Sequence, residues 1–452
     1  MIRRVFKHAK NNVFLFTAIV LSCFVLTACG GGGGGGDSYD EPEAQPTTPI
    51  TGQVDNVLID APTLKAWMDA GLVNSDAFEN VVILQPNSYS GGHIAGTQEW
   101  TAPRGIDRID GPVLSGNMVL DGESMDDAIQ AAGIKAGSTI VLVPTGYPDT
   151  TTDRAYLMFR YWGFPKEKIK VLNGGLPAWQ AYGYDVTEAV SPVAASNFSV
   201  ADLPGGPDFD ARASLSEAIV GVTEETVVPY NTYANTSNVT TATITETLDG
   251  SYNGEAGNGG YVIFQGLMFD GVTDNMLAGL RTTTMIEGTE VTVLKSAEEM
   301  RSFLVDDLGV DLSKTIMTYC RAGNLASSGF APIDIVLGNE VDVMTYDGSW
   351  SQWGSLTADE TVVPSAAYVL PVGYSAWATD VLTSDGAGGA PFYLYPADNT
   401  TEIQQPFFFD APLSPYDEGA NTIEDEDYEY WYYGGEEAGA PSAGNAGDAG
   451  GC

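Results

Sequence analysis

The chain has 452 residues, 44% of them hydrophobic, which allows two or three cored domains and argues against bulk disorder. Sixty acidic residues against 19 basic ones give a formal net charge of −41, a surface that repels nucleic acid and anionic membranes and reads first as a solvating shell. The only histidines are His8 and His93. His8 lies in an N-terminal leader, so multi-histidine metal sites are excluded, and a Ser-His-Asp hydrolase would have to rest on His93 alone. The cysteines Cys23, Cys29, Cys320 and Cys452 match neither zinc spacing nor a CxxC redox motif, and no metal or other cofactor is implied.

Residues 1–28 begin with Arg3, Arg4 and Lys7 and continue through an apolar run from Val13 to Ala28, the shape of a signal peptide. Leu26-Thr27-Ala28-Cys29 resembles a bacterial lipobox. The resemblance implies lipidation of Cys29 and a chain lipid-anchored to the bacterial cell envelope. Gly30 is not the aspartate that favours inner-membrane retention in enterobacteria, so the outer membrane is the expected location. Seven glycines from Gly30 to Gly36 and an acidic, Pro-containing spacer form a flexible tether over 29–53.

Two α/β stretches follow. In the first, 54–187, strands are expected at 80–86, 138–145 and 169–175, and helices at 123–134 (Ser124 as N-cap) and 153–164. Strands alternating with helices at this spacing predict a parallel sheet covered on both faces. A linker is expected over 188–207. The second stretch, 208–356, repeats the order. A helix is expected over 296–310, with a Ser296/Glu299 capping box, then a strand at 314–320, a small-residue segment and a strand at 341–350. The two stretches read as a divergent duplication, with an irregular Thr/Asn/Gly-rich insertion at 231–260. An extension over 357–413 and an acidic, then Gly/Ala-rich tail over 414–452, expected to be disordered, complete the chain.

Four segments carry a family resemblance: "GGHIAG" (91–96), "VLNGGLPAWQAYGYDV" (171–186), "YCRAGNLAS" (319–327) and "YDGSWSQWG" (346–354). Together they resemble the rhodanese sulfurtransferases in their tandem-domain, thiosulfate sulfurtransferase-like form. The resemblance implies two α/β domains, only the second with an active-site cysteine. It covers about residues 54–356. The first stretch has "LVPTGYPDTTTD" where a loop cysteine would sit, so it is expected to be catalytically silent. The loop's sixth position, often arginine or threonine in the family, is Leu325 here, so a group that could contact an anionic substrate is missing.

Sulfur transfer needs a thiolate that can hold a persulfide. An ordinary cysteine has a pKa of about 8.5, which helix N-termini and nearby cations lower. The loop Cys320, Arg321, Ala322, Gly323, Asn324, Leu325 ends a predicted strand and can turn its amide groups toward the sulfur as an anion cradle, with Gly323 permitting the curvature. Cys320 is the expected catalytic residue and the other five the expected substrate-binding ones. Arg321 adds positive potential and Asn324 a side-chain donor. The partners expected are a small-molecule sulfur donor (thiosulfate or polysulfide) and an acceptor thiol, with the membrane engaged through the lipid anchor. Two functions fit: a sulfurtransferase working through a Cys320 persulfide, or a non-catalytic module that binds sulfur or selenium oxyanions or serves an envelope redox complex. His93, Trp179, Trp350 and Trp353 are expected to be structural. Cys452 could resolve the persulfide, but is more simply an incidental thiol.

Overall fold

The computed structural model describes residues 57–87, 91–110, 113–232, 266–268, 271–273, 279–320, 323–349, 352, 379–381 and 420–434. The leader and tether, Cys29, Arg321, Ala322, Trp350, Trp353 and Cys452 lie outside the described residues, as do most of the 231–260 insertion and most of 357–413.

The first half begins with β1 (Leu58–Ile59) and α1 (Ala61–Asp69), capped by the Asp60 carboxylate on the Thr63 amide. Next come β2 (Val81–Gln85), β3 (Gln98–Glu99), and an antiparallel hairpin of β4 (Ile106–Asp110) and β5 (Val113–Met118). Then follow α2 (Gly122–Ala131), β6 (Thr139–Leu142), α3 (Thr150–Tyr161), β7 (Ile169–Leu172) and α4 (Gly175–Ala181). Strands β1-β7-β6-β2-β3 form one parallel sheet in that order. β2 through Leu84 and β6 from Ile140 are continuous apolar runs, as strands buried on both faces of a sheet require. Val82, Leu84, Ile140 and Leu142 join one core, while Val81, Ile83 and Val141 join the other.

The second half contains α5 (Leu215–Thr223), β8 (Val227–Asn231), β9 (Gly266–Met268) and β10 (Val272–Thr273). A hairpin of β11 (Arg281–Ile286) and β12 (Thr289–Leu294) precedes α6 (Ala297–Ser302), β13 (Thr315–Tyr319), α7 (Ser327–Leu337) and β14 (Val343–Thr345). Strands β10-β8-β13-β14 make a second parallel sheet, and β15 (Thr379–Val381) pairs with β9. The expected α/β architecture of parallel sheets flanked by helices is therefore present. The two halves share one core, and α3 packs on α7. Across that contact the Tyr156 hydroxyl donates to Asp334 at 2.6 Å and Arg160 Nε at 3.1 Å.

Several local expectations are refined. The cap of α2 is Asp121, whose carboxylate accepts from the Ser124 amide at 2.9 Å, so Ser124 is the capped residue, not the cap. The Ser296/Glu299 capping box forms, but the helix passes after Ser302 into a π-turn over Phe303–Asp307. His93 is fully buried and exchanges backbone hydrogen bonds with Thr187, tying the 91–96 turn to the end of the half. Trp179 donates Nε1–H to the Asp185 carbonyl and packs on Tyr184, as a structural anchor does.

The largest difference lies in the acidic stretch expected to be disordered. Within it, α8 (Thr422–Tyr433) is a packed helix. Ile423, Glu424 and Asp427 are buried. Arg108 grips Asp427 with two bonds, at 2.8 and 2.9 Å, and the Tyr161 hydroxyl adds a third at 2.6 Å. The Tyr430 ring lies where a side chain on Gly122 would be, with ring atoms within 2.4 Å of the added Cβ. An acidic sequence folds here because the rest of the chain supplies buried guanidinium groups to receive it.

Candidate active site

Cys320 stands one residue past β13, where a parallel strand leaves its sheet and the chain turns into α7. Ligand sites of open α/β sheets lie at such carboxyl ends. Cys320 is 2% exposed, so the sulfur is covered rather than lying beneath an open mouth. Polar groups take part in the cover. The Ser349 hydroxyl accepts from the Cys320 amide at 3.1 Å, donates to the Tyr346 carbonyl at 2.9 Å and lies 4.0 Å from Cys320 Sγ. Ser349 itself has φ 51, a left-handed conformation uncommon for serine that aims this hydroxyl back at the strand end.

Gly323 is required twice. Its φ is +85, and a Cβ there would lie 2.3 Å from the Asp347 carbonyl oxygen. Asn324 reaches across to the first half, donating Nδ2–H to Asn117 Oδ1 at 3.1 Å. Leu325 is half-buried and packs on the shared core, while its carbonyl accepts from the Thr232 hydroxyl at 2.9 Å. α7 has no side-chain cap. Among the described residues, no acceptor meets the amides of Leu325, Ala326 or Ser327, the donors a bound anion would need.

A residue from the other half completes the site, and sequence reasoning did not single it out. Arg154 of α3 is 1% exposed on its side chain and lies within electrostatic reach of Cys320. Its Nε donates to the Arg104 carbonyl at 2.8 Å and its Nη2 to the Asn117 carbonyl. Nη2 is 3.9 Å from Asp347 Oδ2, and Nη1 has no hydrogen-bond partner among the described residues. Burial pulls this guanidinium below its ordinary value, against the opposing pull of Asp347 and Cys320. The signal in the sequence was an arginine on the apolar helix "DRAYLMFRYWGF", which periodicity alone would place on its polar side.

Asp347 organises the polar floor. Its Oδ2 accepts from the Val119 amide at 2.9 Å and its Oδ1 from Arg212 Nε at 2.9 Å. Arg212 also contacts Asp110 at 3.3 Å and Glu424 of α8 at 2.5 Å, all four side chains being at most 1% exposed. Burial pushes Asp110 up and Glu424 up to about 8, with Arg212 pulling both down. Three carboxylates around one guanidinium keep a proton among them. Among the described residues, no cluster of three or more histidine, cysteine or carboxylate groups is arranged to hold a metal ion.

Two parallel α/β sheets, the second ending in the turn that carries Cys320, the one cysteine among the described residues, define a tandem α/β protein. Relatives place it further. A Haloferax volcanii protein whose name assigns it to the thiosulfate sulfurtransferases is 28% identical over 244 residues, 53% of this chain and 73% of that one. The thiosulfate sulfurtransferase of Corynebacterium glutamicum is 24% identical over 243 residues, 52% of this chain and 70% of that one. The solved structure of the Escherichia coli 3-mercaptopyruvate sulfotransferase SseA aligns with a TM-score of 0.44 at 18% identity, covering 66% of this chain and 99% of that one. No protein-family model matches the chain. By these matches the chain is similar to the rhodanese/sulfurtransferase-like proteins.

Proposed function

We propose that the protein is a sulfurtransferase that moves sulfane sulfur from thiosulfate or a related donor to a thiol or other nucleophile through a Cys320 persulfide. The observation that carries this reading is the buried Arg154 guanidinium within electrostatic reach of Cys320, where the first turn of α7 has amides with no acceptor among the described residues. With thiosulfate, the Cys320 thiolate attacks the sulfane sulfur, a new S–S bond forms, and sulfite departs with the electron pair of the old one. An acceptor such as cyanide then takes the outer sulfur as thiocyanate, and Cys320 leaves as thiolate. Arg154, Asn324 and the α7 amides are the groups suited to hold the donor's oxyanion and the persulfide charge. No oxidant or general base is consumed, which suits a chain whose His93 is occupied in structure.

Cys320→Ser is expected to abolish thiocyanate formation, and peptide mass spectrometry after thiosulfate exposure is expected to show one added sulfur on Cys320 in the wild type. Wild-type turnover by Cys320→Ser would refute the carrier role. The near-complete burial of Cys320 favours a second reading, a module that binds the oxyanion without turning it over. Saturable thiosulfate binding by calorimetry, with no sulfur added to Cys320, selects that one. Lipid attachment at Cys29 on the envelope, on the outer membrane by preference, is part of the proposal. It is supported by the sequence of the leader and checked by loss of membrane association in Cys29→Ser.

A further inference from the structure

Helix α8 lies outside both parallel sheets, yet its carboxylate Glu424 sits at the end of a buried chain of contacts leading to the thiol. Glu424 holds Arg212 Nη1, and Arg212 Nε holds Asp347 Oδ1. Asp347 Oδ2 faces Arg154, and the Asp347 carbonyl presses on Gly323 so closely that no side chain fits there. One residue, Asp347, thus borders both the guanidinium and the turn that adjoin Cys320. Arg212 cannot relax toward water, since its side chain is fully buried, so its position is set by the three carboxylates around it.

We propose that α8 is a built-in component of the Cys320 site, with Glu424 a positioning residue that acts through Arg212 on Asp347 and so sets Arg154 and the 323–325 turn. Its effect on turnover rests on the sulfurtransferase reading; the coupling of helix to turn does not. The groups facing Glu424 are Arg212, Asp110 and Glu217, with Tyr161 within electrostatic reach. Burial, with the carboxylates of Asp110 and Glu217 nearby, favours the neutral form of Glu424 against the pull of Arg212, so the contact is formed by a neutral carboxyl as well as an ionised one. A glutamine keeps the oxygen that Arg212 grips; an alanine removes it.

The test uses the full chain and two readouts: deuterium exchange of the peptide covering 319–327, and the rate at which thiosulfate adds sulfur to Cys320. Glu424→Ala is expected to speed exchange in that peptide roughly fivefold or more and to slow sulfur addition by a similar factor. Glu424→Gln is expected to restore both toward wild type. Tyr430→Phe removes the bond from the other end of the helix to Asp126 and should quicken exchange in α8 while leaving 319–327 as it was. If Glu424→Ala loosens α8 but leaves 319–327 exchanging at the wild-type rate, the proposal is overturned. It is equally overturned if Glu424→Gln loosens that peptide as much as alanine does. A wild type that gains no sulfur sinks the sulfurtransferase reading alone, because the exchange comparison still decides the coupling.

Discussion

The two strand-to-helix turns of this molecule, after β6 and after β13, have the same place in their sheets and opposite polar interiors. In the first, Asp149 caps α3 by accepting from the Thr152 amide at 3.1 Å. Its other oxygen accepts from the Thr145 amide at 2.8 Å and the Thr145 hydroxyl at 3.1 Å. The turn is satisfied by its own carboxylate, leaving those donors nothing to offer an external anion. In the second, Ala326 stands at the cap position with no side chain to offer, and Ser327 Oγ donates outward to the Asn324 carbonyl at 2.6 Å. On the proposed reading, the difference between the closed first turn and a second turn able to seat an anion comes down to one internal carboxylate.

The comparison can be attacked from either side. The largest effect is expected from Arg154→Gln, which leaves the second turn with its amides but without the buried guanidinium of α3: sulfur addition to Cys320 should fall about a hundredfold, the scale seen when one preorganised charge stabiliser is removed. A rate within a few-fold of wild type would mean that the amides suffice. Next comes pH. Glu424 holds its proton in the folded chain up to about 8, whereas an unfolded glutamate releases it near 4.5. Between those values the folded state binds the extra proton, so stability falls as pH rises through the window and is unaffected by this group below it. Denaturant titrations should show wild type losing stability steadily from pH 5 to 8, with a shallower slope in Glu424→Gln. The smallest effect belongs to the first turn. Asp149→Ala should cost about 1–2 kcal/mol in unfolding free energy by loss of a cap, while sulfur addition to Cys320 stays at its wild-type rate.

Much of the scaffold was legible because its signals are local. The apolar runs of β2 and β6, the β-branched run of β13 and the Ser296 capping box follow from neighbouring residues alone. The β11–β12 hairpin has a local signal too, one that the expected elements did not include: Glu287-Gly288, both at positive φ, is a two-residue turn between alternating residues. The cysteine turn was legible as a motif, and Gly323 has the positive φ expected of it. What stayed hidden depends on partners far away in sequence. Arg154 gains its meaning from Cys320 and Asp347, and Leu325 packs on the core with its carbonyl held by Thr232. Composition made 422–433 look soluble and unstructured, since nothing nearby announces that Arg108 and Arg212 wait for Asp427 and Glu424.

That last pairing sets where the chain can be shortened. A protein ending at residue 356 would retain both parallel sheets and all six residues of the cysteine turn. It would also strand Arg108 without its bidentate acid and Arg212 with one acid fewer, and open the groove over Gly122 that Tyr430 fills. Removing one partner of a buried ion pair leaves an uncompensated charge, so a chain cut at 356 should be less stable than the full one by several kcal/mol, even though it keeps the whole cysteine turn.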